Sequence, residues 1–366
     1  ITVSAFGSGQ SVTFSGSVQA TGGTGGTSGG NSATGGTGGS AKAISISSNG
    51  GTVSLGGSVV STGGTGGGAN GGTAGNKGPD ANISLTTGAT STINQILNAG
   101  TAQITLHSNA GGFNQSAQFI TAGSLELTGS GTFGLTQSNN NLPTIAANTT
   151  GAISYTDADT LTVATVGVSG ITTGGNDVTL NTGNTLTLSN AITAAAGTVT
   201  LNPTAGGVAG AGAAVTAANL LLTGAGAFNL TNAGNHLTTA LAANVNGAVT
   251  YVDSGSFTVG QVSSTQGIAT SGNSVQLSSA GGTLSSTAGN NINTTKSGAA
   301  GGNVALNVTG TGNGIDLAGD IVTTGGNNAT GAAFTAGSVL ITAADGTIKT
   351  SNITAAGGNA TGTGGK

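Results

Sequence analysis

Residues 178–222 read VTLNTGNTLTLSNAITAAAGTVTLNPTAGGVAGAGAAVTAANLLL, and this stretch decides the fold. Apolar-polar-apolar triplets stand at Val178-Thr179-Leu180, Val199-Thr200-Leu201 and Leu220-Leu221-Leu222, each 21 residues after the last. Alternation at period 2 is the signature of a strand with one face buried. A second triplet follows eight residues on, as at Val178 to Leu186, Ile153 to Leu161 and Val249 to Phe257. Gly and Asn fill the intervals, where turns require positive φ. Phe228-Asn229-Leu230 and Val249-Thr250-Tyr251 keep the same 21-residue step.

Working outward, a longer repeat emerges. LELTGSGTFGLTQSNNNLPTIAANTTGAISYTDADTLTV from Leu125 matches LLLTGAGAFNLTNAGNHLTTALAANVNGAVTYVDSGSFTV from Leu220. Leu125 aligns with Leu220, Phe133 with Phe228, Tyr155 with Tyr251 and Ile171 with Ile268, so the offset stays between 95 and 97. Short strands at a sustained step describe an all-β fold, a right-handed parallel β-helix with coils of about 21 residues; no coil can bury its inward side chains alone, and stacking does so. A sandwich predicts strands every 8–12 residues without that register. Inward stacks are expected to be Val, Ile, Leu and Phe, with Thr, Ser and Asn outside. Roughly 14–16 coils at about 4.8 Å each give a rod on the order of 70 Å long. The chain is read as one rod: coils with glycine-rich insertions over 1–122, two copies of the long repeat over 123–308, and further coils with insertions over 309–366.

Composition agrees with a folded β protein and removes most chemistry. Of 366 residues 73 are glycine; five are lysine and none arginine, against eight aspartates and one glutamate. Charged residues make up 4%, against roughly 25% in ordinary domains. Disordered chains are charged and poor in β-branched residues, the reverse of this one. With a net charge of −4 and no arginine, the chain offers no phosphate-binding surface, so no nucleic-acid partner is expected. The absence of cysteine removes disulfides, thiolate metal sites and thiol nucleophiles. No apolar run approaches the roughly 18 residues of a membrane span, so no membrane insertion is expected. The opening Ile1-Thr2-Val3-Ser4 has no leader-like pattern and suggests an internal or processed piece.

Four segments share another form: a branched residue, three intervening residues, then Gly-Gly. They are Val18 to Gly22-Gly23, Val59 to Gly63-Gly64, Ile321 to Gly325-Gly326, and Ile353 to Gly357-Gly358. Low-complexity tracts follow, notably 21–40 and 61–80, before a triplet resumes at Ile44, Ile83 or Val339. One reading makes these tracts flexible loops. The other has them leave one corner of the coil and pack together as extended threefold helices with interchain hydrogen bonds, glycine being selected by a crowded axis. The twelve motif residues are the candidate interaction sites.

No catalytic, cofactor or metal site is expected. Asp157 and Asp159 lie two apart but read as a solvated turn, and the second copy keeps only Asp253. Asp316 and Asp320 read as edge charges. Gly174-Gly175-Asn176-Asp177 is a single copy of a calcium-turn-like pattern that needs tandem repetition. His107 and His236 lack ligand partners at metal spacing, and no Gly-x-Ser-x-Gly accompanies a histidine.

The stretches FGLTQSNNNLPTIAANTTGAISYTDADTLTV (133–163) and GITTGGNDVTLNTGNTLTLSNAITAAAGTVTLN (170–202) resemble the shaft repeats of filamentous-haemagglutinin-like exoproteins of two-partner secretion. The resemblance spans Leu125 to Val308. It implies a β-helical rod, secreted to the cell surface through an outer-membrane transporter partner and used in adhesion, aggregation or biofilm formation. The expected function is therefore a non-enzymatic structural or adhesive segment, whose partners are a host or neighbouring cell surface or other copies, bound laterally or end to end. The alternative is a filament subunit that polymerises end to end, since neither terminus carries an obvious capping element. An ice-binding face is a remoter alternative, because Thr185/Thr187 and Thr198/Thr200 start a Thr row that Ser154 and Val252 break.

Overall fold

The structure is a computed structural model that describes residues 1–30, 32–328 and 332–360. Every regular element among them is a β-strand, and the fold is a right-handed parallel β-helix. The chain divides into two compact units, Ile1–Thr173 and Gly174–Lys366.

In the first unit a column of parallel strands runs Thr2–Ala5, Ile44–Ser48, Ile83–Thr87, Gln103–Ser108, Ser124–Gly129 and Thr144–Thr149. Ile83 pairs with Ile104 and Ile104 with Leu125, which is the 21-residue step. The step widens where glycine tracts intervene: Ile44 pairs with Ile83. A separate column joins Val18–Gln19, Val59–Val60, Leu97–Asn98 and Ile120–Thr121. In the second unit Val178, Val199 and Leu220 pair in succession, as do Phe228, Val249, Val275, Val304 and Val339.

Register follows from the alternation. Ile83, Ile104, Leu125 and Ile145 are fully buried along one stack, as are Val178, Val199 and Leu220 in the second unit. Each such side chain contributes about 1.5–3 kcal/mol by leaving water. Phe113 and Phe133 pack at 6.1 Å in the first unit, and Tyr251 meets Phe257 edge-on at 5.2 Å in the second.

Two features depart from the sequence reading. The interior is not purely apolar. The inward place at the end of the first strand holds Ser48, Thr87, Ser108 and Thr149 in one unit and Thr182 and Ser279 in the other, all buried. Their hydroxyls turn onto corner carbonyls: Ser48 to Gln10 (2.6 Å), Ser108 to Ala110 (2.9 Å), Thr182 to Asn184 (2.6 Å) and Ser279 to Gly282 (2.6 Å). A buried hydroxyl is tolerated where it satisfies backbone that the turn leaves without a ladder partner.

Each long repeat also carries a small antiparallel hairpin. In the first unit Thr165–Val166 pairs with Val168–Ser169; in the second Gln261–Val262 pairs with Thr265–Gln266. Beside each hairpin one strand edge is shared by two short strands: Thr144–Thr149 by Leu161–Val163 and Ile171–Thr172, and His236–Asn246 by Phe257–Val259 and Ile268–Ala269.

Candidate functional site

The glycine tracts are ordered layers. In the first unit the tract after Val18–Gln19 donates forward to the tract after Val59–Val60: Gly22 N to Thr62 O (3.0 Å), Gly25 N to Thr65 O (2.9 Å) and Ser28 N to Gly68 O (3.0 Å). The returning tracts do likewise, Gly35 N to Thr73 O and Gly38 N to Asn76 O, both 2.9 Å. Cross-links tie outgoing to returning tracts: Gly39 N to Gly23 O (2.7 Å), Gly36 N to Gly26 O (2.8 Å), Gly64 N to Gly39 O (2.9 Å) and Gly67 N to Gly36 O (2.7 Å). The second excursion closes on itself through Gly78 N to Gly64 O (2.8 Å) and Gly75 N to Gly67 O (2.9 Å).

The donors advance by three residues, the period of an extended helix whose backbone bonds only to its neighbours. This is the packed alternative, not the flexible loop, for the described residues of 21–40 and 61–80. Glycine is required because the axes lie so close: a Cβ on Gly22 would fall on the Gly39 carbonyl, and one on Gly64 would fall on the Gly23 carbonyl.

The second unit builds the same lattice from 323–328, 332–338 and 355–360. Gly325 N donates to Ala356 O (2.9 Å), Asn328 N to Asn359 O (3.0 Å), Gly358 N to Phe334 O (2.9 Å) and Gly337 N to Thr323 O (2.8 Å). A short excursion not singled out from sequence, Thr294 to Gly302, joins it through Gly301 N to Thr335 O (3.0 Å) and by accepting from Gly326 N at Ala299 O (2.8 Å). Its glycine pair stands at the returning end, which hides it from a search for the outgoing motif.

The motif residues are thus brought together within each unit. Val18 pairs with Val59 and Ile321 with Ile353, while Gly22, Gly23, Gly63 and Gly64 lie in one layer and Gly325, Gly326, Gly357 and Gly358 in the other. Clamps at the layer bases were not legible in the sequence. The hydroxyl of Ser61 donates to Lys42 O (2.9 Å), that of Thr294 to Gly302 O (2.6 Å) and that of Thr323 to Gly337 O (2.8 Å). Asp80 receives Gly63 N (2.7 Å), Thr101 N (2.8 Å) and the Lys77 ammonium. Burial raises its pKa, but the hydrogen bonds from Lys77, Thr101 and Gly63 outweigh that and bring it to about 2.

The acidic candidates serve the backbone. Asp157 is not a solvated turn residue: it is buried and accepts from the Tyr155 hydroxyl (2.7 Å), Leu142 N (2.9 Å) and Asp159 N (2.9 Å). Burial raises its pKa, and raises that of Tyr155 further above the usual phenol range. Asp253 repeats the arrangement with Tyr251 (2.5 Å), Leu237 N (2.9 Å) and Gly255 N (2.8 Å). Beside each acid a buried asparagine bridges two strands. Asn140 donates to Leu135 O (3.3 Å) and Thr156 O (3.2 Å). Asn235 donates to Leu230 O (2.9 Å) and Val252 O (3.0 Å) and accepts Val215 N (2.8 Å).

Elsewhere Asp177 accepts Thr198 N (2.7 Å), Asp320 accepts the Ser351 hydroxyl (2.8 Å), and Asp316 lies 3.4 Å from the Lys349 ammonium. His107 bridges the Thr128 hydroxyl and Asn109 side chain, and His236 stands 3.5 Å from Asp253. Among the described residues no three His, Asp or Glu side chains converge as a metal site. A groove of about 460 Å³ beside His107 is lined by Asn109, Thr128, Ser130, Asn148 and Thr150, with no carboxylate.

No family model matches the chain, and neither a curated protein nor a solved structure matches it. The residues therefore support a β-helical repeat protein as a class.

Proposed function

We propose that this chain is a non-enzymatic structural segment of a secreted bacterial surface rod or extracellular fibre, of the filamentous-haemagglutinin-like kind, that supports adhesion, aggregation or biofilm matrix. The observation that carries the reading is the glycine layer. In the first unit about twenty residues per excursion, over 21–40 and 61–80, are given to a lattice of backbone hydrogen bonds with almost no functional side chains. Such a lattice is held by backbone bonds and presents backbone and small side chains, which suits packing against an extended surface. The buried Asp157, Asp253, Asn140 and Asn235 close corners of the coils through backbone hydrogen bonds.

The test is to apply the purified chain to bacterial cells and to polysaccharide panels. Cells should aggregate or attach more strongly while no reducing ends appear. Release of reducing sugar at a rate that follows protein concentration would overturn the non-enzymatic reading. Absence of any cell or surface association would overturn the adhesive one.

A further inference from the structure

We propose that His236 is a proton-operated latch: on taking a proton its ring pairs with the buried Asp253 carboxylate and tightens the corner from which the strand His236–Asn246 starts. The second long repeat then holds this corner harder in mildly acidic media than in neutral ones. The inference concerns the coil itself and does not rest on the adhesive reading.

The carboxylate at this corner is fully buried. Its Oδ2 accepts the Tyr251 hydroxyl (2.5 Å) and Leu237 N (2.9 Å), and its Oδ1 accepts Gly255 N (2.8 Å). Three donors leave acceptor capacity on Oδ1, and His236 Nδ1 stands 3.5 Å from that oxygen. This nitrogen is itself buried and has no hydrogen-bond partner among the described residues. Two buried polar atoms therefore lie side by side with the bond between them unmade, which costs free energy while the ring is neutral. A protonated ring brings an N–H and a positive charge to the same place. The His236 side chain is otherwise 44% exposed, so a proton can enter and leave without the coil opening.

No other charge competes for the ring. Its own strand carries no further titratable group, and Val215–Ala225, on which it pairs at Thr216, carries none. Phe257–Val259, Gln261–Val262, Thr265–Gln266 and Ile268–Ala269, which also pack on His236–Asn246, carry none either. Val249–Asp253 supplies Asp253 and the Tyr251 hydroxyl that donates to it.

The first repeat builds the same corner without a histidine. Leu142 N meets Asp157 there as Leu237 N meets Asp253, both at 2.9 Å. Asn141 holds the place of His236 and Asp159 that of Gly255, and these two bond directly, Asn141 Nδ2 to Asp159 Oδ2 (3.2 Å). A Cβ on Gly255 would come within 3.1 Å of His236 Cε1 and 3.2 Å of its Nδ1, so the glycine makes room for the ring. The two copies thus differ by a matched pair, Asn with Asp in one and His with Gly in the other.

The sign follows from the partner. The protonated ring has its carboxylate only in the folded chain, so the contribution is full below the ordinary histidine range, near about pH 6.5. It is lost as the pH rises and the folded chain gives up the proton.

The chain has only two histidines, which makes the assignment direct. Amide exchange at Leu237 and Gly255, corrected for the unstructured rate at each pH, should be about threefold or more slower at about pH 5.5 than at about pH 7.5. His107→Asn should keep that difference. His236→Asn should abolish it, as should His236→Asn/Gly255→Asp, which rebuilds the first corner, while Leu142 and Asp159 exchange as in the wild type. Protection at Leu237 and Gly255 that does not fall over this range in the wild-type chain would overturn the latch, and that result needs no variant to fold. A difference that survives His236→Asn, or that His107→Asn removes, would overturn it as well.

Discussion

Gly22 and Gly23 are neighbours in one Thr-Gly-Gly unit, yet alanine should act oppositely at the two positions in the single molecule. A Cβ on Gly22 would overlap the Gly39 carbonyl and stand 2.6 Å from Gly64 N, where ordinary contact is about 3.5 Å. Relief needs a shift of about 1 Å in both neighbouring tracts. That stretches Gly39 N to Gly23 O (2.7 Å) and Gly64 N to Gly39 O (2.9 Å) beyond hydrogen-bonding geometry. Two lost bonds cost about 2 kcal/mol, overpacking adds about 1–3 kcal/mol, and the stiffer unfolded chain returns about 0.4–1 kcal/mol. The net is about 2–5 kcal/mol against the first layer for Gly22→Ala. Gly23→Ala meets no atom within 4 Å and should be neutral or gain the entropic 0.4–1 kcal/mol. Amide hydrogen exchange of residues 21–40, at concentrations where the protein is single particles, reads the difference. Gly22→Ala should speed exchange about 30- to 3000-fold, at about 1.4 kcal/mol per decade, and Gly23→Ala should leave it unchanged or slower. Exchange of the wild-type Gly25, Gly36, Gly39 and Gly64 amides at unprotected rates, or equal effects of the two substitutions, would refute the packed layer.

Other outcomes follow from the corners and clamps. The folded pKa of Asp80 lies below its usual 3.8, at about 2. Its contribution is therefore full above pH 4 and is lost as pH falls toward 2; after solvent screening it is on the order of 1–2 kcal/mol. Protease nicking within 61–80 should rise over that window, and Asp80→Asn should flatten the dependence. Asp157 has the opposite sign: its raised pKa favours the protonated folded form, so its contribution is greatest at acid pH and declines as pH rises from the usual carboxylate value through the raised one. Asp157→Asn should make the unfolding midpoint less pH-dependent there. Asn235→Asp would turn a carboxylate onto Leu230 O and Val252 O, and should cost about 3–5 kcal/mol by denaturant titration at neutral pH. Tyr251→Phe removes one donor from buried Asp253 and should cost about 1–3 kcal/mol by the same measurement.

The sequence by itself determined the coil. Alternation at Val178, Val199 and Leu220 states which side chains face inward, and a side-chain period of two makes a slip of one residue put the whole apolar set in water. The 21-residue step names the paired residues, because parallel neighbours in a solenoid are one turn apart. The motif from Val18 to Gly22-Gly23, with its copies at Val59, Ile321 and Ile353, likewise marked where four excursions leave, though not the short one from Thr294. The tertiary structure alone decided what the excursions do. A glycine tract carries no side-chain pattern, so the choice between loose loop and lattice rests on backbone bonds to tracts about 40 residues away, as from Gly22 to Thr62. The same holds for the polar interior. Ser48, Asn140 and Asp157 are indistinguishable in sequence from surface residues, and only the position of corner carbonyls and amides beside them makes their burial favourable. Inward apolar residues are selected by water, which any sequence records; buried polar residues are selected by a few backbone atoms that exist in place only after the chain has coiled.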